Sequence, residues 1–249
     1  MALESIIVIH QVSKQFKGSL TKNINCIDFQ VLNGEKIGIF GPNGAGKTTL
    51  ISMMCGLTKP DTGSIHYQID KQITTIHGIL FEIGYVPQEY AFFQELSPVQ
   101  NLAYFGALQG LSKIDIKSRT AHLLEVLGLE LVAKKKINTF SGGMKRRLNL
   151  AIGMIHNPRI LFLDEPTVGV DVQSKMAIMQ YLEELNKQGT TIVYTSHHLK
   201  EAEEFCDRIL LMDHGQLIAL DTMEHLQSEH HVADLEDFFI KLTGSEYRD

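Results

Sequence analysis

One eight-residue segment constrains the fold of this 249-residue chain more than any other. It reads Gly41-Pro-Asn-Gly-Ala-Gly-Lys47-Thr48, fits the pattern GxxxxGK followed by Ser or Thr, and lies between a short β-rich run and a helix-forming segment. Glycines let backbone N–H groups surround phosphate oxygens, and the start of a helix adds a favourable dipole. The segment predicts a phosphate-binding loop with the candidate residues Gly41, Pro42, Asn43, Gly44, Ala45, Gly46, Lys47, Thr48 and Thr49.

Within this loop, we expect Lys47 to reach the β- and γ-phosphates of a nucleoside triphosphate and Thr48 to bind Mg²⁺. Kinases, GTPases and many ATPases share the pattern. A GTPase would carry the guanine-reading pattern NKxD, from which Asn186-Lys-Gln-Gly189 departs at its fourth position. The loop alone therefore predicts nucleotide binding without identifying the reaction.

Short apolar runs alternate with helix-forming segments along much of the chain, a pattern typical of an α/β fold whose parallel sheet is covered by helices. In the last predicted helix, for example, Ile178, Leu182 and Leu185 recur at helical spacing and Gly189 follows. The predicted strands are Ile6–Val12, Ile24–Val31, Lys36–Phe40, Ser64–Ile69, Ile160–Leu163, Thr190–Tyr194 and Ile209–Met212. The predicted helices are Lys47–Cys55, Pro98–Gln109, Lys117–Leu127, Gly142–His156 and Gln173–Gln188.

The middle of the chain differs from its two ends. From Pro98 to about Asn157 there is no convincing strand, and Pro158 ends the last of the helices predicted there. We therefore expect one domain over residues 1–249. A helical lobe at about residues 90–157 is inserted into its α/β core, and residues 215–249 form a C-terminal extension.

A second motif is the apolar run Ile160–Leu163 followed by Asp164 and Glu165. Such a strand places its carboxylates at the carboxyl edge of the sheet, where ligands of open α/β folds bind. We expect Asp164 to hold Mg²⁺, directly or through water, and Glu165 to polarise an attacking water. Taken alone, the run also fits a strand followed by a solvated turn. The phosphate-binding loop in the same chain favours the catalytic interpretation.

A third motif, Phe140-Ser-Gly-Gly-Met144, opens the predicted helix Gly142–His156. A serine and two glycines at the start of a helix form a second anion-binding end, with a hydroxyl and accessible backbone N–H groups. Taken alone, the motif also fits an N-capped helix that binds no ligand.

With three further motifs, these segments resemble the nucleotide-binding subunit of ABC transporters over nearly the whole chain. The further motifs are Gln88 in Gly84-Tyr-Val-Pro-Gln88, Asp171 in Val168-Gly-Val-Asp171 and His197 in Thr195-Ser-His197, and all six occur in the family's order. The resemblance implies an α/β P-loop NTPase core with a mostly parallel sheet, an N-terminal antiparallel β part and an inserted helical lobe. It also implies that two such domains meet head to tail around two ATP molecules.

The resemblance assigns a role to each motif. One set would act on the subunit's own ATP and its Mg²⁺: Lys47, Thr48, Gln88, Asp164, Glu165 and His197. In that set Glu165 is the general base, Gln88 coordinates Mg²⁺ or orients water, and His197 donates to the γ-phosphate. A second set would contact the γ-phosphate bound to the other subunit: Ser141, Gly142 and Gly143. Asp171 would cross the dimer interface.

Single residues of these sets also fit plainer roles. Asp171 fits a helix N-cap, Gln88 a loop residue and His197 a structural histidine. Two positions depart from the family's pattern. Phe16 stands where a tyrosine commonly stacks on adenine; its ring keeps the stacking surface, although a core aromatic is the alternative. Met144 replaces the glutamine that usually closes the signature, which leaves the backbone anion site intact and puts one polar contact of the dimer in doubt.

A finer resemblance is to exporter ATPases that pair with a separate membrane protein, such as drug or polysaccharide efflux systems. It rests on Leu96–Leu102, Val168–Asp171 and Leu235–Gly244. The implied function is an ATP-hydrolysing subunit that powers export. The implied partners are a second nucleotide-binding subunit, taken as a second copy of this chain, and an integral membrane permease chain. The cargo is left open, and so is a heterodimer.

Charge, cysteine content and hydropathy add further expectations. The formal net charge is −6, without the basic excess usual for a protein that binds duplex nucleic acid, so no nucleic-acid partner is expected. Cys26, Cys55 and Cys206 form no CxxC pair, which indicates neither a disulfide framework nor a zinc site. No apolar run approaches the ~20 residues of a membrane-spanning helix, and the first residues show no signal-peptide pattern. We expect a cytoplasmic protein that is peripheral on the membrane through its partner.

Three alternative functions also fit a chain with these nucleotide-binding motifs. One is a soluble ABC-type ATPase acting on ribosomes or DNA, although such relatives usually carry two nucleotide domains or a long coiled coil, and neither is visible here. Another is an importer subunit. A third, a non-hydrolysing ATP-binding module, is disfavoured by the complete set of catalytic side chains.

Overall fold

A computed structural model describes residues 4–196, 199–230, 232 and 234–243, which fall into two units. Unit 1 comprises Met1–Leu80 and Thr191–Asp249, and unit 2 comprises Phe81–Thr190. In chain order the strands are β1 (Ser5–Lys14), β2 (Ile24–Leu32), β3 (Lys36–Phe40), β4 (Thr62–Ile69), β5 (Gln72–Thr74), β6 (Ile83–Val86), β7 (Ile160–Asp164), β8 (Thr191–Ser196), β9 (Arg208–Asp213) and β10 (Gln216–Asp221). The helices are α1 (Lys47–Met54), α2 (Pro98–Leu108), α3 (Lys113–Val126), α4 (Gly142–Gly153), α5 (Val172–Lys187), α6 (Leu199–Phe205), α7 (Met223–His230) and α8 (Leu235–Thr243).

Unit 1 contains an antiparallel sheet built by the N-terminal part of the chain. Its strand order is β2-β1-β4-β5, and β1 pairs antiparallel with both β2 and β4. Ile7, Ile9 and Val12 of β1 are fully buried, as expected for a sheet that packs one face on a core. The predicted N-terminal antiparallel β part is confirmed.

Unit 1 also contains parallel strands that lead to the phosphate-binding loop. β3 pairs parallel with β8 and with β9, and β10 adds to β9 antiparallel. Nearly every residue of β3, β8 and β9 is buried, which explains their continuous apolar sequences. Phe40 pairs with Ser196, so the carboxyl ends of β3 and β8 lie at the same edge. The predicted α/β class and mostly parallel sheet are confirmed.

Unit 2 carries the second parallel pair, β6 and β7, together with α2, α3, α4 and α5. Between Pro98 and Asn157 the chain forms helices and short 3₁₀ turns, without a strand. α2 begins with a capping box, in which Ser97 accepts from the Gln100 N–H and the Gln100 side chain accepts from the Ser97 N–H. β7 is buried throughout and ends at Asp164, which places the two predicted carboxylates at a strand terminus.

Two predicted helix boundaries are wrong. α3 begins at Lys113, before the predicted Lys117, because the Ser112 hydroxyl accepts from the Asp115 N–H and caps an earlier turn. α4 ends at Gly153 rather than His156, because the N–H groups of Met154 and Ile155 bond to carbonyls three residues back, those of Ala151 and Ile152, and Asn157 has a left-handed φ of 57°. The Arg119 side chain of α3 binds the terminal carbonyls of Met154 and Ile155, a contact that no local pattern marks.

Several elements were not predicted: β5, β6, β10, α6, α7 and α8. β6 is short, and it contains Gly84, where an added Cβ would lie 2.4 Å from the Gly153 carbonyl oxygen. The close approach of the Gly153 backbone explains why β6 contains Gly84, although glycine within a strand usually weakens it. Among the described residues, no helix is long and apolar enough to cross a membrane.

Candidate functional site

The phosphate-binding loop of unit 1 connects β3 to α1. The loop spans Gly41–Gly46, and α1 starts at Lys47. Gly46, the N-cap of α1, has a left-handed φ of 108°, and an added Cβ would lie 2.7 Å from the Asn23 carbonyl oxygen. Only glycine fits both conditions. A glycine cap has no side chain to bind the first-turn N–H groups of α1, which suits this helix start for an anion.

Lys47 lies along its own loop. Its buried Nζ donates to the carbonyl oxygens of Gly41 at 2.7 Å and Pro42 at 3.2 Å. Asn43 and Gly44 are exposed at the tip of the loop, whereas Pro42 and Ala45 are buried and Thr49 is intermediate. Thr48 is exposed in the first turn of α1. The loop thus presents backbone, an ammonium group and a hydroxyl within one turn of chain.

Phe16 is a surface residue of unit 1. Its side chain is 44% exposed, and its N–H donates to the Asn23 side-chain oxygen at 3.1 Å. The Lys14 Nζ lies 5.6 Å from the centroid of its ring. The alternative of a core aromatic is therefore wrong. Stacking on adenine stays a prediction.

Two acidic residues follow each other at the end of β7 in unit 2. Asp164 is 1% exposed and Glu165 is 7% exposed. Glu165 has φ 51°, in the left-handed region that non-glycine residues adopt only at a cost of about 1–2 kcal/mol. Residues with a strained backbone cluster at functional sites, and Glu165 is the predicted general base.

Gln88 lies beside that base. Its Nε2 donates to Glu165 Oε2 at 3.0 Å, across 77 residues of chain. An amide donor on one carboxylate oxygen restricts the rotation of the Glu165 side chain. The structure therefore brings together two of the three predicted catalytic residues.

The third catalytic residue, His197, lies outside the described residues. β8 leads to it, and Tyr194 of that strand donates its hydroxyl to Glu201 Oε2 of α6 at 2.6 Å. Both of these side chains are buried.

The Ser141–Gly143 motif begins α4 in unit 2. Ser141 is the N-cap, with its hydroxyl accepting from the Met144 N–H at 3.3 Å. Gly142 is exposed and Gly143 is buried. A Cβ added at Gly143 would lie 2.4 Å from Ser174 Oγ and 2.7 Å from Asp171 Oδ2, so the second glycine is required by the packing of α4 against the start of α5.

Asp171 is the N-cap of α5. It accepts from the Ser174 N–H at 2.9 Å and from the Ser174 hydroxyl at 2.8 Å. The backbone hydrogen bond from Ser174, followed by the one from its hydroxyl, lowers the pKa of the Asp171 carboxyl. The N-cap role is confirmed, and a contact across a dimer interface stays a prediction.

The predicted Mg²⁺ ligands have the right chemistry. Unit 1 offers the Thr48 hydroxyl, and unit 2 offers the Asp164 carboxylate and the Gln88 amide, all of them oxygen donors. Mg²⁺ prefers oxygen, and beside a nucleotide it is usually bound through few protein ligands plus phosphates. Among the described residues there is no cluster of three or more His, Cys, Asp or Glu side chains suited to another metal.

Two residues that were not predicted as part of the site, Arg146 and Asn149, hold the segment around Gln88 in place. Arg146 and Asn149 of α4 are buried and bind the backbone around Gln88. Both residues lie away from the apolar face that Leu148, Ala151 and Ile155 give the predicted helix, so no sequence signal marked them as buried.

The family comparison agrees with the motifs. A family model described as ABC transporter matches residues 24–168. The linearmycin resistance ATP-binding protein LnrL of Bacillus subtilis is 45% identical over 205 residues, which cover 81% of this chain and 65% of that protein. The doxorubicin resistance ATP-binding protein DrrA of Mycobacterium tuberculosis is 38% identical over 221 residues, covering 89% and 67%. The Nod factor export ATP-binding protein I of a Rhizobium species is 39% identical over 219 residues, covering 88% and 71%.

The alignment covers only part of these proteins: 65% of LnrL's length, just under two thirds. Among solved structures, an ATP-binding subunit of an ABC transporter superposes with a TM-score of 0.85 over 96% of this chain and 100% of that one, at 24% identity. That similarity shows the fold. A dimeric ATP-binding cassette in a post-hydrolysis state, bound to ADP and Pi, has a TM-score of 0.79 at 26% identity and covers 87% of this chain and 98% of that one.

Proposed function

The chain belongs to the ABC transporter family, and from that premise we propose that it binds and hydrolyses ATP, dimerises around two ATP molecules and powers export through a partner membrane protein. The observation that carries the proposal is the hydrogen bond from Gln88 to Glu165, beside Asp164 at the end of a buried strand. A glutamate held by an amide at such a terminus is equipped to act on water.

In this proposal, unit 1 binds the nucleotide. The N–H groups of the Gly41–Gly46 loop and the start of α1 receive the phosphates, and Lys47 exchanges its contacts with the Gly41 and Pro42 carbonyls for contacts with the β- and γ-phosphates. Phe16 stacks on the adenine through its exposed ring. Thr48 is proposed as a Mg²⁺ ligand together with Asp164 and Gln88. When bound, the ion neutralises charge on the β- and γ-phosphates.

Unit 2 supplies the group that moves the proton. Glu165 accepts a proton from the attacking water on its carboxylate. Gln88 fixes the plane of that carboxylate, which prevents Glu165 from rotating away. His197 is proposed to donate to the γ-phosphate and stabilise the charge that develops on it.

The proposed assembly is a homodimer that docks on an integral membrane permease chain. Ser141, Gly142 and Gly143 of one copy contact the γ-phosphate held by the other copy in this proposal, which is supported by the exposure of Ser141 and Gly142 at the start of α4. Asp171, exposed at the start of α5, lies at the copy-to-copy interface in this proposal. The protein would then be peripheral on the cytoplasmic face of the membrane.

Export is proposed on the names of the relatives, which are drug-resistance and Nod factor export proteins. The test is to purify the tagged chain from detergent-solubilised native membranes and to identify its companions by mass spectrometry. The proposal expects a polytopic membrane protein in stoichiometric amount. Recovery from the soluble fraction alone, with ribosomes or DNA as companions, would contradict transport and leave the ATPase standing.

A further inference from the structure

Helix α4 does more than present the Ser141–Gly143 motif: two of its buried side chains hold the chain segment that carries Gln88. Asn149 Nδ2 donates to the Pro87 carbonyl at 3.0 Å, and Asn149 Oδ1 accepts from the Ala91 N–H at 3.2 Å. One turn earlier, Arg146 Nη1 donates to the Gln88 carbonyl. Segment 87–91 is thus attached to α4 at three backbone points, on both sides of Gln88.

Arg146 also reaches two neighbours of the catalytic pair. Its Nε donates to the Val168 carbonyl at 3.4 Å, in the loop that follows Glu165. Its guanidinium lies 5.2 Å from the centroid of the Tyr90 ring, and the Tyr90 hydroxyl donates to the Gly142 carbonyl at 3.4 Å. One side chain therefore contacts the segment of Gln88, the loop of Glu165 and a ring that touches the Ser141–Gly143 motif.

A buried guanidinium is suited to this task. Arg146 is 6% exposed, so its charge must be satisfied by nearby acceptors, and the backbone carbonyls of Gln88 and Val168 provide them. The planar fork of arginine fixes several donors in one geometry, whereas the ammonium of lysine is a point charge on a flexible stem. The angle between segment 87–91 and the 165–168 loop therefore depends on the guanidinium itself.

We propose that Arg146 is a positioning residue for ATP hydrolysis. It connects Gln88 and the loop after Glu165 to α4, the helix that begins at the Ser141–Gly143 motif. When this motif binds the ATP held by the partner subunit, the position of α4 sets the geometry of the Gln88–Glu165 pair. The inference rests on the proposed function, and it adds a route by which one nucleotide regulates hydrolysis of the other. α4 is a rigid element with the anion-binding motif at its start and both clamping side chains within its first two turns. A shift of its start is passed on to both catalytic residues.

The same helix offers a matched control. Arg147 is adjacent and also caps backbone carbonyls, with Nη1 donating to Leu127 at 2.6 Å and to Gly128 at 3.3 Å. Those carbonyls lie at the end of α3, away in sequence from Gln88 and Glu165. Loss of the Arg147 guanidinium removes a carbonyl cap of similar chemistry without releasing the Gln88 segment.

The test compares steady-state ATP hydrolysis by the parent, Arg146→Met, Arg146→Lys and Arg147→Met, each purified with its native companions, with thermal unfolding and binding of a fluorescent ATP analogue measured in parallel. We expect kcat of both Arg146 variants to fall roughly 10- to 100-fold, because small displacements of catalytic groups are costly. We expect their KM and analogue affinity to stay within about threefold of the parent, since the phosphate-binding loop is intact. Arg147→Met is expected to keep kcat within about threefold even where its melting temperature falls.

Two results would overturn the inference while the ATPase proposal stands: parental kcat in either folded Arg146 variant, or a joint loss of kcat, binding and melting temperature that Arg147→Met reproduces. Should Arg146→Met fail to fold, Arg146→Lys, which keeps the charge and the stem, decides the matter on the same criteria. Absence of hydrolysis in the parent itself would instead contradict the proposed function, and the inference with it.

Discussion

At the scale of single residues, Glu165 shows why the position of a candidate catalytic side chain is easier to predict than its conformation. The position follows from its place after an apolar run and Asp164. Its left-handed φ of 51° and its bond to Gln88 depend on how the chain turns away from β7. A left-handed backbone at a buried glutamate is typical of functional sites, which supports the proposed role of Glu165 as general base.

The two glycines of the Ser141–Gly143 motif are expected to differ in their effect on stability. Gly143→Ala places a Cβ 2.4 Å from Ser174 Oγ and 2.7 Å from Asp171 Oδ2 and should lower the free energy of unfolding by about 1–3 kcal/mol. A Cβ added at Gly142 would lie 3.4 Å from its nearest neighbour, the Gly169 carbonyl oxygen. Gly142→Ala should therefore change the free energy of unfolding by no more than about 0.5 kcal/mol. Chemical denaturation of both variants is the measurement. Equal destabilisation would show that α4 does not pack on the start of α5 in this way.

Phe16 should contribute to ATP affinity without contributing to folding. Phe16→Ala removes an exposed ring, and we expect ATP to bind roughly 2- to 10-fold more weakly, the range given by one aromatic stacking contact. Phe16→Tyr keeps the ring and serves as the control, with unchanged affinity. Calorimetric titration with ATP measures both. Unaltered affinity in Phe16→Ala would place the adenine elsewhere.

At the scale of elements, the strongest sequence patterns were sufficient for the long helices and the buried strands. Ser141 and Asp171 predicted caps correctly, because a helix start is decided by a side chain within three residues. The early end of α4 was not predicted: its last turn tightens to bonds three residues back, and its terminal carbonyls are bound by Arg119 of α3, which is far away in the sequence. The short strand β6 owes its conformation to pairing with β7, which lies far away in the sequence, and no local pattern records that pairing. β10 instead forms a hairpin with β9 across the two-residue turn His214-Gly215, a local signal that the prediction overlooked.

The end of α4 also makes stability depend on pH. His156 Nε2 donates to the Ile83 carbonyl at 2.8 Å, and Nδ1 is buried without a hydrogen-bond partner in the described residues. Burial, as the largest cause, lowers the pKa of this imidazole below the ordinary value of 6.5. As the pH falls below about 6.5, the imidazole of the unfolded chain binds a proton while that of the folded chain stays neutral. The contribution of His156 to the free energy of unfolding is therefore present above pH 6.5 and is lost as the pH falls through the folded-state pKa.

Replacing the imidazole tests this sign. His156→Gln retains an N–H donor for the Ile83 carbonyl and removes the titrating group. We expect the free energy of unfolding of the parent to fall more steeply than that of the variant between about pH 7 and about pH 5. Denaturant titrations at several pH values measure both slopes. Parallel slopes would mean that His156 titrates alike in the folded and unfolded chains.

At the scale of the whole molecule, the order of six motifs was enough to identify the family and the fold, and the comparisons confirm both. The contacts that hold the candidate site residues in place could not be predicted from the sequence. Gln88 and Glu165 are separated by 77 residues, and Arg146 acts through backbone carbonyls, which every residue possesses and no sequence pattern marks. The chemistry of a site can therefore be predicted from side chains, while its positioning depends on the path of the chain.

Glu165 is proposed as the general base for ATP hydrolysis in a dimer that assembles when two copies of the chain bind ATP. The substitution Glu165→Gln tests this proposal most directly. The substitution keeps the size of the side chain and removes the base, so ATP should still bind while turnover falls by more than about 100-fold. Light scattering after size-exclusion chromatography with Mg²⁺ and ATP should then show a stable dimer of the variant and a monomer without nucleotide. Hydrolysis at the parental rate by Glu165→Gln would contradict the account.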